Sequence, residues 1–310
     1  ETKLRPVMLA RIEQAQEIIA EYSQKLSARQ IYYQFVARGL IENEPKNYAL
    51  ITATLTAARY AGLIDWDVIE DRGRRPDIPS QWKTIPDLLD SALRAFRLPR
   101  WDNQLAYVEL WVEKQALEGA LRPIANKFHV TLLVNKGYSS ASTMKEAADR
   151  IRAACGFDTD EYRETFAKAS AELVRFEKGT PERAAGTKRL ARELDEISRP
   201  ATIFYLGDHD PSGEDMVRDI QTRLDEFQVD RLTVKKLAIT MDQIRKWKPP
   251  PNPAKIPDSR ARAYIEKFGN KSWELDALPP DELTQIVTRA LALKVDRALL
   301  NEVLAEEERL

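Results

Sequence analysis

Two acidic residues, Asp208 and Asp210, stand one residue apart directly after the apolar run ATIFYL at 201–206. In extended chain, side chains at i and i+2 point the same way. The two carboxylates then face one side and His209 the other. A third carboxylate, Glu113, closes another apolar run, LAYVELWV at 105–112. Carboxylates without cysteine or histidine partners favour a hard cation with oxygen ligands. Mg2+ fits, since it keeps waters and binds substrate phosphates, and one or two such ions are expected. A lone Asp-x-Asp pair is commonly solvated or capping. Two aspartates closing one buried strand, with a glutamate closing another, favour a metal site. Pro211 fixes the next turn, Ser212 reads as an N-cap, and Glu214 and Asp215 suit a first helical turn.

A second group of reactive side chains lies in ARQIYYQ at 28–34. At about 100° per residue, Ala28, Ile31, Phe35, Val36 and Gly39 cluster on one helix face. Tyr32 falls within that face and Tyr33 near its border, beside Arg29. Positions i and i+4 are neighbours on a helix, so Arg29 and Tyr33 can share one phosphate. Tyr32 is then a core residue and Tyr33 the candidate nucleophile. On these residues alone, two packing tyrosines remain the simpler reading.

The elements that must position these groups fall into two stretches. Residues 1–99 read as helices with short breaks: RPVMLARIEQAQEIIAEYSQ, then SARQIYYQFVARGLI with Ser27 and Gln30 spaced as a capping box, then a third helix at Asn47–Tyr60. DWDVIEDRGRRPDIP follows, with strand-like alternation and a basic turn. Three helices and a basic hairpin spell a winged helix-turn-helix. From about residue 100 to 310, short branched and aromatic runs alternate with helical patterns, which implies an α/β fold with a four-stranded parallel sheet. Strands that are apolar almost throughout suit a sheet covered on both faces. The charged stretch at about 157–199 reads as an inserted helical pair on the surface, and a C-terminal extension follows the sheet. Ligands of an open parallel sheet bind beyond the carboxyl ends of its strands. Glu113, the Gly137 turn and Asp208–Asp210 all lie at such ends, on one edge of the sheet.

Basic residues mark where a phosphate backbone would lie. The third helix offers Lys46, Asn47, Thr52, Thr56 and Arg59, and the hairpin offers Arg72, Arg74 and Arg75. The stretch at 245–271 holds eight Lys or Arg against two Asp or Glu, Arg260 and Arg262 among them. Its triple proline makes a stiff, extended crossing, and SWELDALPPDELTQIVTRAL then reads as a terminal helix before an acidic tail. The net charge of the whole chain is -1, so overall charge identifies no partner. Cys155 is the single cysteine. It is expected as a core thiol at a helix end, and it excludes an internal disulfide and a cysteine zinc site. No apolar run reaches membrane length and no signal-peptide pattern opens the chain, so a cytoplasmic, nucleoid-associated protein is expected. No G-x-x-x-x-G-K-[ST] loop is present.

A strand ending in Glu, a second ending in a Gly turn and a third ending in D-x-D-P-x-G resemble a Toprim domain, the metal-binding module of topoisomerases, primases and some nucleases. KGY and DHDPSG are most similar to the A subunit of topoisomerase VI and its meiotic double-strand-break relatives, in a stand-alone bacterial or phage form. That family joins its Toprim domain to a winged helix with R-x-x-Y-Y, matched here by Arg29, Tyr32 and Tyr33. The resemblance implies that Glu113, Asp208 and Asp210 ligate Mg2+ and that Tyr33 attacks double-stranded DNA, leaving a tyrosyl-phosphate. It implies a homodimer in which the tyrosine of one subunit works at the metal site of the other. Lys136, in the Lys-Gly-Tyr turn, joins the DNA-contacting set. Ser139 and Ser140 stand where the family usually has Pro and Asp, and the helical insertion is atypical. A separate B-type ATPase subunit is a possible partner, although the short N-terminus leaves little room to dock one. Hydrolysis by a Toprim endonuclease and DNA binding without catalysis are the alternatives.

Overall fold

The computed structural model describes residues 5–22, 24–70, 79–135, 137–253 and 261–310. The N-terminal part holds α1 (Pro6–Ala20), β1 (Leu26–Ser27), α2 (Ala28–Ala37), α3 (Pro45–Tyr60) and β2 (Ile69–Glu70). α2 opens with the expected capping box: Ser27 Oγ accepts from Gln30 N at 3.2 Å, and Gln30 Oε1 accepts from Ser27 N at 2.9 Å. Pro45 starts α3, where a fixed φ and a missing N–H cost nothing. Ile12, Ile18, Ile31, Phe35, Ile51 and Leu55 form the core of these helices, and Ala277, far along the chain, joins it. Among the described residues, the strand-like stretch after α3 forms β2, which pairs in parallel with β1. The basic turn carrying Arg72, Arg74 and Arg75 lies outside the described residues. α4 (Ile85–Ala95) then leads towards the sheet. It is capped by Thr84 and Asp87, and none of its residues is buried.

The second part contains β3 (Tyr107–Val112), α5 (Glu118–Phe128), β4 (Thr131–Val134), α6 (Ala141–Cys155), α7 (Asp160–Leu173), α8 (Pro181–Ile197), β5 (Ala201–Leu206), α9 (Pro211–Glu226) and β6 (Leu232–Ala238). The four strands form one parallel sheet in the order β4-β3-β5-β6. This is the expected four-stranded parallel sheet. All of β5 is buried, as its unbroken apolar run implies. Val108, Leu110, Phe204 and Leu206 face one core with α5, and Trp111, Ile203 and Tyr205 face another with α6 and α9. Cys155 is a buried free thiol at the end of α6, as expected. The charged stretch forms a helical pair, α7 and α8. The pair is not wholly a surface feature, since Tyr162, Leu190 and Leu194 enter the sheet core.

The C-terminal part holds α10 (Met241–Trp247), β7 (Asn252–Pro253), α11 (Ala261–Phe268), β8 (Lys271–Ser272), α12 (Pro280–Ala292) and α13 (Arg297–Arg309). After the proline run, β7 pairs antiparallel with β8. α12 covers one sheet face through Leu283, Val287 and Leu291. The expected acidic tail is itself helical, as α13. Asp296 caps it, and Glu307 is held by Leu98 N and Arg100, each at 2.7 Å. Among the described residues, no helix is long and apolar enough to cross a membrane.

Candidate active site

Glu113 and Asp208 leave adjacent strands side by side. Glu113 Oε2 accepts from Asp208 N at 3.1 Å and from Tyr205 Oη at 3.2 Å. The glutamate therefore meets Asp208 through its backbone N–H. Gly207 permits this approach, because a Cβ there would lie 2.5 Å from Tyr205 Oη and 2.8 Å from Glu113 Oε2. Asp208 Oδ1 accepts from Leu275 N at 2.8 Å and meets Lys114 Nζ at 3.0 Å. Burial pushes the Asp208 carboxyl up to about 6; the Lys114 ammonium opposes that shift and Glu113 adds to it.

Asp210 Oδ1 accepts from Gly213 N at 2.7 Å and Ser212 Oγ at 2.9 Å. The N-cap of α9 is thus Asp210, and not Ser212 as the sequence suggests. Pro211 takes the first helical position, which moves the cap one residue earlier than Pro. Gly213 lets this turn fold back on β5, since a Cβ there would lie 2.1 Å from Asp208 O. His209 turns the other way. Its Nδ1 lies 2.8 Å from Tyr264 Oη, and its backbone pairs with Trp273, so it anchors the C-terminal part. Ser140 caps α6, accepting from Thr143 N at 3.1 Å.

Sequence reasoning missed Lys114, Glu274 and Asp276. The Lys114 ammonium lies 3.0 Å from Asp208 Oδ1, 2.8 Å from Glu274 Oε2 and 3.2 Å from Asp276 Oδ2. Asp276 is buried, and neither of its oxygens makes a hydrogen bond among the described residues. Arg29 reaches the same group from α2. Its Nη2 lies 2.6 Å from Glu274 Oε1 and 2.5 Å from Oε2, and its Nε lies 3.6 Å from Asp276 Oδ2. Lys114 and Arg29 hold the Glu274 carboxyl below the usual carboxylate range, against the desolvation that raises it. Only Lys114, next to Glu113, carried a positional hint. Glu274 lies 245 residues from Arg29, beyond any local pattern.

The tyrosines differ from the helical-wheel expectation. Tyr32 is in the core, with its hydroxyl donating to Asn43 Oδ1 at 2.8 Å. Tyr33 is just as buried, at 2 % exposure, instead of bordering solvent. The wheel considers one helix and cannot include the β7–β8 pair that covers it. Asn252 Nδ2 donates to Tyr33 Oη at 3.3 Å and lies 3.3 Å from Glu274 Oε1. Arg29 lies beside the Tyr33 ring, 6.0 Å from its centroid. Burial pushes the Tyr33 phenol up to about 12, and Glu274 adds to the shift.

A cavity of about 510 Å³ joins these groups; its walls include Arg29, Tyr33, Asp208, Asp210, Asn252 and Glu274. Among the described residues, no group of three His, Cys, Asp or Glu side chains is arranged to hold a metal ion. The donor chemistry nevertheless suits a hard cation. Three carboxylates, from Asp208, Glu274 and Asp276, meet Lys114, two of them also meet Arg29, and the buried Asp276 oxygens make no hydrogen bond among the described residues.

The expected DNA-contacting residues are scattered. Lys46 is exposed and pairs with Glu44 at 2.5 Å. Arg59 packs on the Trp66 ring, 4.3 Å from its centroid, and donates to Trp66 O. Thr52 and Thr56 return their hydroxyls to carbonyls of α3. Arg262 is exposed on α11 and pairs with Glu266 at 3.2 Å. Lys136 and Arg260, like the three hairpin arginines, lie outside the described residues. Comparison with protein-family models, with curated proteins and with solved structures found no match to this chain.

Proposed function

We propose that the protein cleaves double-stranded DNA by transesterification through Tyr33, in the manner of the A subunit of a type IIB topoisomerase. The reading takes the N-terminal helices as a winged-helix unit and the sheet as a Toprim unit. One observation carries it: a single cavity is lined by the tyrosine, its neighbouring arginine and both strand-end aspartates. Tyr33 Oη forms a bond to phosphorus while the bond from phosphorus to a sugar oxygen breaks. The phenol gives its proton to water, and the sugar oxygen leaves as a hydroxyl after taking up a proton. Arg29, whose Nη2 now meets both Glu274 oxygens, can grip two phosphate oxygens with its guanidinium fork. Mg2+ held by Glu113, Asp208 and Asp210 would stabilise negative charge on the phosphate. Two copies are proposed to act together, one on each strand.

Hydrolysis with Tyr33 as a packing residue is the second reading, favoured by the deep burial of that side chain. Incubation with supercoiled plasmid and Mg2+, followed by denaturation, separates the two. Transesterification predicts broken ends that carry protein and vanish with Tyr33→Phe. Protein-free ends, unchanged by that substitution, support hydrolysis. No cleavage under any divalent-metal condition overturns both.

A further inference from the structure

We propose a second binding site, for an organic phosphate about the size of a nucleotide, between α12 and the edge strand β6. The proposal goes beyond the DNA-cleavage reading and does not rest on it. A cavity of about 340 Å³ opens there, and its walls include Thr202, Lys235, Arg289 and Lys294. It lies towards the amino end of β5, whereas Asp208 and Asp210 follow the carboxyl end. In extended chain Thr202 and Asp208 are roughly 20 Å apart. The two cavities share no lining residue.

Strand register explains why this cavity is basic. Thr202 stands beside Thr233, and Phe204 beside Lys235. Phe204 belongs to the core that α12 covers, so Lys235 lies on the face towards that helix. Ile286, Arg289, Ala290 and Leu293 recur at helical spacing and line the opposite wall. Among the described residues, no acidic side chain lines the cavity, and neither Lys235 nor Arg289 has an ion-pair partner. Like charges facing one cavity repel, and a bound anion relieves that repulsion. Arg289, in the last turn of α12, also offsets the carbonyl end of its helix. Lys235, on a strand, has no such role. Lys294 is held inward, its Nζ donating to Thr202 Oγ1 at 3.1 Å. Thr202 is only 5 % exposed, and among the described residues its hydroxyl accepts this bond and donates none. Its proton is left for a ligand oxygen. Three cations and a hydroxyl suit a phosphate. Ile286, Ala290 and Leu293 give an apolar wall for the rest of the ligand, which is the form of a small-molecule site.

Calorimetric titration of the full chain with dAMP, beside deoxyadenosine and inorganic phosphate, tests this. Binding of dAMP is expected, and more tightly than either of the others. Lys235→Gln and Arg289→Gln should each weaken it about tenfold, since each removes a charge-assisted hydrogen bond. Both side chains are exposed, so these variants are expected to melt with the wild type. Arg29→Gln, in the other cavity, should leave the affinity unchanged. A second readout needs no variant: dAMP should shield Lys235 and Lys294 of the wild type from an amine-acetylating reagent, read by mass spectrometry. Displacement of dAMP by a single-stranded oligonucleotide would make a DNA strand the source of the phosphate, and failure to displace it a free nucleotide. No binding of dAMP, binding unmoved by both cavity substitutions, or binding lost with Arg29→Gln would overturn the proposal. None of these outcomes depends on whether DNA is cleaved.

Discussion

Tyr33 is buried, and burial sets the terms of its chemistry. With its phenol pushed up to about 12, it is protonated at neutral pH. Below that value the phenolate fraction rises about tenfold per pH unit. Single-turnover adduct formation, followed by quenched gel assay, is therefore expected to accelerate steadily from pH 7 to 9. A plateau near pH 7 would mean that another group limits the step. Glu274 is the second residue on which the site turns, because it holds Arg29 and Lys114 at once. Glu274→Ala leaves two cations without that partner. It is expected to cost about 2 kcal/mol in urea unfolding, less than a fully buried pair because both ends are partly exposed. It should also abolish adduct formation. The Arg29–Tyr33 pair was legible in the sequence because helical periodicity places i and i+4 together. The partnership of Arg29 with Glu274 was not, because the fold alone creates it.

At the scale of elements, the sheet was the most legible part of the chain. Its central strands, β3 and β5, are buried almost throughout, and runs such as ATIFYL admit little else. The turn after β5 was less so: an Asp-x-Asp-Pro-Ser string offers two caps, and the proline decides for Asp210. The last helix, α13, was hidden in what reads as an acidic tail, because four of its last eight residues are glutamates. Gly213 is the element-scale position with least freedom. Gly213→Ala forces a methyl group against the Asp208 carbonyl, and overpacking of this kind is expected to cost about 2–3 kcal/mol. Because the shift falls on Asp208, divalent-cation binding by calorimetry should weaken as well. Full stability in this variant would show that the turn is looser than described. Arg150→Ala tests the other polar intrusion in the sheet. Arg150 pairs with the fully buried Glu109 at 2.7 Å, and Glu109 also accepts from Tyr107 Oη and Trp111 Nε1. Leaving that carboxylate without its cation is expected to cost about 3 kcal/mol in chemical denaturation.

Over the whole molecule, two packed bodies meet along a charged seam, with α4 exposed on the connection between them. An α4 with no buried residue should be the first regular element to exchange its amide hydrogens, while β3 and β5 exchange last. Protection of α4 comparable to that of α5 would reveal a surface that covers it in solution. The seam places Tyr33, the proposed nucleophile, in one cavity with Asp208 and Asp210. The most direct measurement of that role is the identity of the residue bonded to DNA. Cleavage complexes trapped by denaturant, digested with nuclease and trypsin, and read by tandem mass spectrometry are expected to show a nucleotide remnant on the peptide 30–38, fragmenting at Tyr33. A remnant on Tyr32 or elsewhere, or cleaved DNA with no remnant on the protein, would contradict the account.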